Sequence, residues 1–388
     1  MFEYMTEWAG LLLRWLHVIT AIAWIGSSFY FIWLDLSLRK VPGLPKGAHG
    51  ECWGVHGGGF YHIQKYLVTP EKMPETLHWF KHESYFTWLS GFALLVVTYY
   101  LGAESFLVNP DNPMSTAAVV GISLASLVIG WVFFDQLCKS KLGDNLWLLG
   151  GIVFAFLLVA TEIFSHFFSG RAALLHVGAV IATWMTGNVF FIIIPNQKEV
   201  VATLKAGGQP SPHYGKVAKQ RSTINNYLTL PVLFMMLSNH YPMTFSNENL
   251  WVVSALVILI GAIVRSWFNF SHEGRTGIIR QWQWPTAGVL VLVLAWFLYV
   301  PPIQAQAGDT VLSDKQAQAL VNTHCVACHG SVAAAAMKGV QLHDIDSIVR
   351  NKAGVLAQAI NSQAMPMGNA TGITDAERRS LGLWLQGK

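Results

Sequence analysis

Leu16-His-Val-Ile-Thr-Ala-Ile-Ala-Trp-Ile-Gly-Ser-Ser-Phe29 sits in a long apolar run near the start of the chain, and Leu175-His-Val-Gly-Ala-Val-Ile-Ala-Thr-Trp-Met-Thr-Gly-Asn-Val-Phe190 reads as its near copy. Both begin Leu-His-Val, pass through Ile-Ala to a Trp and a Gly, and carry Phe three residues after the Gly; the second holds one extra residue before its Trp. A second echo is Tyr85-Phe-Thr87 against Tyr227-Leu-Thr229. Apolar runs long enough to cross about 30 Å of hydrocarbon recur along the chain. They fall near 9–34, 84–103, 116–134, 146–167, 172–194, 224–241, 250–269 and 285–303. The echoes open the first and fifth runs, and recur in the second and sixth. The expected architecture is an all-α polytopic membrane helical bundle of eight spans, built as a parallel 4+4 repeat about an axis along the membrane normal.

Composition supports this reading. Charged residues are 12% of the chain and hydrophobic residues 53%, with 16 Trp, against roughly 25% charged in an ordinary soluble domain. A net charge of +4 is too small to predict a nucleic-acid partner, whereas membrane lipid is a required one. The first helix begins without a basic leader or a small-residue cleavage site, so it is expected to be retained. Lys and Arg placement sets direction. Fifteen basic residues fall on one side (six in 35–81, two in 135–143, five in 195–223, two in 270–284), against Arg171 alone on the other. Both termini are therefore expected in the periplasm of a bacterial inner membrane.

After Pro301-Pro302 the apolar runs end, which divides the chain at 1–304 and 305–388. The tail reads as a small all-α domain. Ser313 is an expected N-cap, Thr374-Asp-Ala-Glu377 is a capping box, and Ala353–Asn361 is a short amphipathic helix. Within it stands Thr323-His-Cys-Val-Ala-Cys-His-Gly330. Cys-x-x-Cys-His is the attachment signature of one covalent c-type haem. Cys325 and Cys328 would form thioethers, and His329 would lie beneath the iron. Met365, set before a proline, is the expected second iron ligand; Met367 competes with it, and Met337 stands third. A His/Met pair suits an electron carrier of the class I cytochrome c kind. Zinc or a redox dithiol would be alternatives, but zinc would need more ligands than this stretch offers, since Cys52 and Cys138 fall on the other side, and a disulfide would leave His329 and the Met-Pro loop unexplained.

Ionisable groups inside a bilayer are costly and invite a functional reading. In the outer half lie Arg14, His17, Glu162, His166, Arg171, His176 and His240. For His17 and His176 three readings stand side by side: b-type haem ligation, substrate binding and structure. On the inner side the long segment 35–81 holds a Gly- and His-rich stretch through His62 and leads to His78, His82 and Glu83, read either as a functional cluster or as a surface loop. Cys52 and Cys138 are expected to be inert.

Arg14–Phe31, Lys65–Pro70, Leu77–Lys81, Tyr85–Gly91, Thr186–Asn188, Arg221–Tyr227, Ser238–Tyr241 and the Cys-Val-Ala-Cys-His motif together resemble the bacterial membrane-bound urate oxidase family of PuuD type, in which an eight-helix membrane domain is fused to a C-terminal cytochrome c. The first helix is also similar to HemJ-type membrane haem proteins. The resemblance implies oxidation of urate to 5-hydroxyisourate, with electrons passed through haem c to a soluble cytochrome or a terminal oxidase. It assigns no catalytic residue in the membrane domain. Urate is a flat monoanion, so its site needs a cation, a base and an electron acceptor in reach. Arg14 or Arg171 would hold the anion, with Glu162, His166 or His176 as base. A tethered electron carrier and a repeat-built transporter with a fused haem domain are the other classes the sequence allows.

Overall fold

The computed structural model describes residues 1–66, 74–277, 281–299, 310–330 and 340–388. Met337, Lys72, Arg280 and the boundary placed at 304/305 lie outside the described residues. Helices dominate. In chain order they are α1 (Phe2–Ser37), α2 (His82–Leu94), α3 (Ala103–Phe106), α4 (Thr116–Lys139), α5 (Leu146–Phe167), α6 (Gly170–Gly187), α7 (Ile194–Lys205), α8 (Pro212–Ser238), α9 (Pro242–Phe245), α10 (Leu250–His272) and α11 (Gln283–Phe297). α2 runs on through a π-helical turn at Leu95–Tyr100, and a second such turn at Asn188–Ile193 joins α6 to α7.

A helix lies over each of the eight expected spans. Among the described residues, five stretches are long and apolar enough to cross a membrane: Tyr4–Ser37, Thr116–Lys139, Leu146–Phe167, Gly170–Lys205 and Leu250–His272. α11 is apolar but shorter. α8 starts well before the run that marked it, at Pro212, and its polar first turns dilute its hydropathy. Pro231 does not end it; a Cβ on Gly261 of α10 would come 2.7 Å from the Pro231 Cδ, so the two helices meet closely where the proline ring needs room.

The expectation of an all-α chain is corrected in one place. Segment 35–81 contains an antiparallel hairpin, β1 (Ala48–His56) against β2 (Gly59–Tyr66). Gly57 and Gly58 sit at φ +59° and +79°, the positive pair that a two-residue type I′ hairpin turn demands and that glycine supplies freely. The Gly-rich stretch is thus a hairpin. Trp53 stacks on His62, ring centroids 4.2 Å apart, while His62 Nε2 pairs with Glu51 at 2.7 Å.

α6 is the centre of the bundle. It packs on α4, α5 and α8, and its Trp184 is fully buried, stacked on Phe134 with centroids 4.8 Å apart. α1 lies at the periphery against α2. The C-terminal ends of α4 and α6 are tied to α8 by a buried polar network. Arg221 donates to Asp135 Oδ1 at 2.8 Å and to Asn188 Oδ1 at 3.0 Å, and Asn188 donates to Asn225 Oδ1 at 2.7 Å.

The tail has its own hydrophobic core of Ala317, Val321, Leu342, Ile348, Val355, Leu381, Trp384 and neighbours. Its helices include α12 (Asp314–His324), α13 (Val326–His329), α14 (Ile345–Arg350), α15 (Lys352–Val355) and α16 (Asp375–Gln386). Ser313 and Thr374 both close capping boxes, with Gln316 and Glu377, so each first turn has its orphan N–H groups satisfied. The helix expected over Ala353–Asn361 is α15 followed by a π-helical turn, Leu356–Asn361. The first and last helices of the tail are stapled: Asp314 accepts from the Trp384 indole at 2.9 Å and from Lys388 at 2.6 Å. The hydrogen bonds from Lys388, then Trp384, hold the Asp314 carboxyl below its ordinary range; those from the Thr374 backbone and hydroxyl do the same for Glu377. A carboxylate with a lowered folded pKa contributes stability above its unfolded pKa and loses it as pH falls through the folded value. The hydrogen-exchange protection factors of α12 and α16 in the full-length protein, taken relative to the intrinsic rate at each pH, are therefore expected to fall as pH drops below the usual carboxylate range, and Asp314→Asn is expected to flatten that dependence.

Candidate functional site

A cavity of ≈ 430 Å³ opens between α1, α2, α6 and α8 in the half of the bundle that carries Arg14 and Arg171. α1 reaches it with Arg14, His17, Val18, Ala21, Trp24 and Ile25, the spacing of one helical face. Most of the wall is apolar. Arg14, Arg171, Asn239 and His240 line it as its polar end.

His17 is held in a definite way. Its Nδ1 lies 3.0 Å from the Thr87 carbonyl and 3.1 Å from Ser90 Oγ. A carbonyl only accepts, so Nδ1 carries the proton and donates. Nε2 then keeps its lone pair and has no hydrogen-bond partner among the described residues. That wiring, one imidazole nitrogen donating to a backbone carbonyl and the other free, orients a metal-binding histidine. Gly91 makes it fit: a Cβ there would come 2.9 Å from His17 Cε1.

His176 is wired differently. It is fully buried, its Nδ1 donates to the Ala172 carbonyl at 2.8 Å, and its Nε2 meets Ser123 Oγ at 2.5 Å. Tyr100 continues the chain to Ser123 at 2.7 Å. Both ring nitrogens are engaged, and the ring packs on Phe168, away from the cavity. The two Leu-His-Val histidines are therefore not brought together. The physical reason is the position of their helices: α6 is enclosed on several sides and turns His176 toward α4, whereas peripheral α1 presents one face inward.

The other expected groups separate similarly. Arg171 lines the cavity, donates from Nε and Nη2 to the Asn239 carbonyl (3.2 and 2.8 Å), and lies between the Phe106 and Phe245 rings. Arg14 lines the same mouth. Glu162 and His166 do not join them. α5 buries the stripe Val153, Leu157, Ala160, Thr161 and Phe164, and both residues lie off it, exposed. Of the inner-side group, His78 and His82 pack on aromatic neighbours, Phe80 and Phe86.

In the tail, His329 repeats the wiring of His17: Nδ1 donates to the Val340 carbonyl at 2.9 Å, and Nε2 has no hydrogen-bond partner among the described residues. Cys325 and Cys328 are free thiols on either side of α13's start. Burial pushes the Cys325 thiol up to about 11, which disfavours a reactive dithiol. No group of three or more His, Cys, Asp or Glu able to hold a metal gathers among the described residues, so the zinc alternative has no supporting cluster there. Met365 packs against the same core as Cys325. Its backbone is pinned from two sides: N–H donates to the Gln358 carbonyl at 2.8 Å, and its carbonyl accepts from buried Arg378 at 2.6 Å. Arg378 also donates to the Ala359 carbonyl and to Asn369. Sequence reasoning missed Arg378, whose role as the clamp of the methionine loop depends on a fold that brings residues 359, 365 and 369 around it.

Tail and bundle touch near the cavity. The turn Met367–Asn369 contacts α3, Ala364 packs against the bundle core, and Phe106 of α3 lines the cavity.

Several membrane-length helices around a cavity with an open imidazole define a helical protein of membrane character. Its kinship is equally definite: a family model described as urate oxidase N-terminal matches residues 3–299, and the chain belongs to that family. No curated protein and no solved structure matches it.

Proposed function

We propose that the protein is a membrane-bound urate oxidase that oxidises urate to 5-hydroxyisourate and passes the electrons through a covalent c-type haem on its tail toward the respiratory chain. Family membership supports urate as the substrate. The observation that carries the electron-transfer half is the contact of the methionine loop with α3 at the rim of the histidine cavity. In this reading all eight helices cross the bilayer, with α2, α8 and α11 completing the set and both termini outside. The pairing of α1 with α2 is matched by that of α6 with α8, as a 4+4 repeat requires, whereas the close packing of α8 on α10 has no equal between α2 and α4.

The residues fit a c-type haem. Cys325 and Cys328 would bind it covalently, and His329, already oriented by Val340, would ligate its iron. Met365 would be the second ligand; it packs against the same tail core as Cys325, whereas Met367 belongs to the turn that contacts α3. The cavity also fits a b-type haem. His17 would hold the iron through its open Nε2, the apolar wall would take the macrocycle, and Arg14 and Arg171 would receive its carboxylates at the mouth. Bound there, such groups supply one-electron acceptors, as a two-electron donor requires.

The reaction balances as urate monoanion plus water giving 5-hydroxyisourate, two electrons and one proton. An acceptor outside the protein, a soluble cytochrome or a terminal oxidase, takes the electrons. The purified protein with ferricyanide as acceptor is expected to convert urate to 5-hydroxyisourate; failure to consume urate, with the haem present, contradicts the reading. Gly91→Ala is expected to displace His17 from Thr87 and lower the non-covalent haem retained on purification, read from a pyridine haemochrome spectrum, while covalent haem stays at one per chain. Unchanged non-covalent haem would separate His17 from that role.

A further inference from the structure

We propose that the inner half of the bundle contains the urate-binding site, built around Arg265; that the ligand is urate rests on the urate-oxidising reading above. A second cavity, ≈ 360 Å³, lies between the ends of α1 and α10 and the middle of α8. Its walls are aromatic, with Phe29, Tyr30, Trp33 and Phe268, and its polar groups are Arg265 and His272. Ligand sites are commonly of this size and make-up: apolar walls with few, fixed polar groups.

Arg265 is the decisive residue. It is 3% exposed, its Nε donates to Asn226 Oδ1 at 3.0 Å, and its Cζ stands 4.1 Å from the centre of the Phe29 ring. Its Nη2 has no hydrogen-bond partner, and it pairs with no carboxylate among the described residues. Behind it, among the described residues, Asn226 (1% exposed) has an unpartnered Nδ2 and Asn269 (9%) an unpartnered Oδ1, although Asn269 donates to Asn226 at 3.0 Å. The bundle supplies its own comparison. Arg221, equally buried and also near the inner end, is matched by Asp135 at 2.8 Å. A buried guanidinium left without a counter-charge is costly, and the cavity it lines is where an anion would supply one.

The walls select which anion. Flat aromatic faces favour a planar, delocalised ligand over a tetrahedral one, and a guanidinium fork gives parallel donors to adjacent acceptor atoms. Urate is planar, singly negative and edged with lactam donors and acceptors. α1 connects this site to the outer cavity directly, since Ile25 lines one and Phe29 the other. Both ends of the site, Trp33 on α1 and His272 on α10, lie at the side where the basic residues accumulate. Substrate would thus enter on the side opposite the tail.

The test is equilibrium binding of radiolabelled urate to the full-length protein in detergent, anaerobically and with its haem reduced beforehand by dithionite so that no urate is consumed. Wild type is expected to bind one urate per chain. Arg265→Gln is expected to weaken binding about tenfold or more, and Arg265→Lys to fall between, since it keeps the charge and loses the fork. Trp33→Ala, at a partly exposed position that the fold tolerates, is expected to weaken binding several-fold through lost stacking. Variants are compared at wild-type elution volume and covalent haem content. Wild-type affinity in both Arg265→Gln and Trp33→Ala, or no binding by wild type, overturns the proposal; so does Arg265-dependent binding of a short-chain quinone or an anionic lipid with urate unbound. Urate that binds through Arg265 yet never reduces the tail's haem overturns the oxidation reading and leaves the site standing. Reduction by urate with unaltered binding in Arg265→Gln does the reverse.

Discussion

Full-length protein carrying Cys325→Ser and Cys328→Ser together is expected to lose covalent haem entirely, and its urate-dependent reduction of a soluble c-type cytochrome is expected to fall to background. The argument is chemical. Two thiols set two residues apart, followed by a histidine whose Nδ1 is already committed to the Val340 carbonyl, would fix the macrocycle and present Nε2 to its iron. Without the thioethers, the domain has only its side-chain core to hold a flat cofactor at the surface of a small helical unit. Met365→Ala separates ligation from attachment. It is expected to keep the covalent haem and to lower its reduction potential, because a His/Met pair raises that potential relative to its alternatives. Met367→Ala is expected to leave the potential near that of the wild type. The check is a spectroelectrochemical titration of each variant; an unshifted Met365→Ala beside a shifted Met367→Ala would reassign the ligand.

The second large effect concerns stability. Arg221→Met is expected to destabilise the bundle by about 3–5 kcal/mol, since it leaves Asp135 as a buried charge whose remaining partner is the partly exposed Lys139. The same change removes the Nη1 donor to Asn188 Oδ1; the Asn188 amide's own bond to Asn225 ties the end of α6 to α8. Arg221→Met with Asp135→Leu is expected to recover most of the loss, because well-packed apolar residues replace a buried ion pair at little cost. Unfolding midpoints in one detergent, for the two singles and the double, measure this. A double variant no better than the worse single would mean that the network holds the helices by more than its charges.

How much of this was legible in the sequence follows from what each signal depends on. Hydropathy placed a helix over every expected span, because lipid and protein interior reward the same apolar runs. It could not see that α8 begins at Pro212, since those first turns are polar. The hairpin at 48–66 was hidden by reading the Gly-rich stretch as a functional cluster or a surface loop, when Gly57 and Gly58 are what a tight primed turn needs. The caps at Ser313 and Thr374 were legible because capping is local. The site was legible only in part. Arg14, His17 and Arg171 line one cavity, but Glu162 and His166 share a helical face that the packing of α5 turns away. His17 and His176 look equivalent in sequence, and their environments differ because one helix is peripheral and the other central. Arg265 had a signal that went unread: a cation inside an otherwise apolar span is itself a functional hint.

The most direct test is to add urate alone to the purified, oxidised, full-length protein under strict anaerobiosis and follow the c-type α-band. Two haem equivalents reduced per urate consumed, with 5-hydroxyisourate as the first product, is the predicted result. A spectrum unmoved by excess urate, in protein whose haem dithionite reduces fully, would contradict the account.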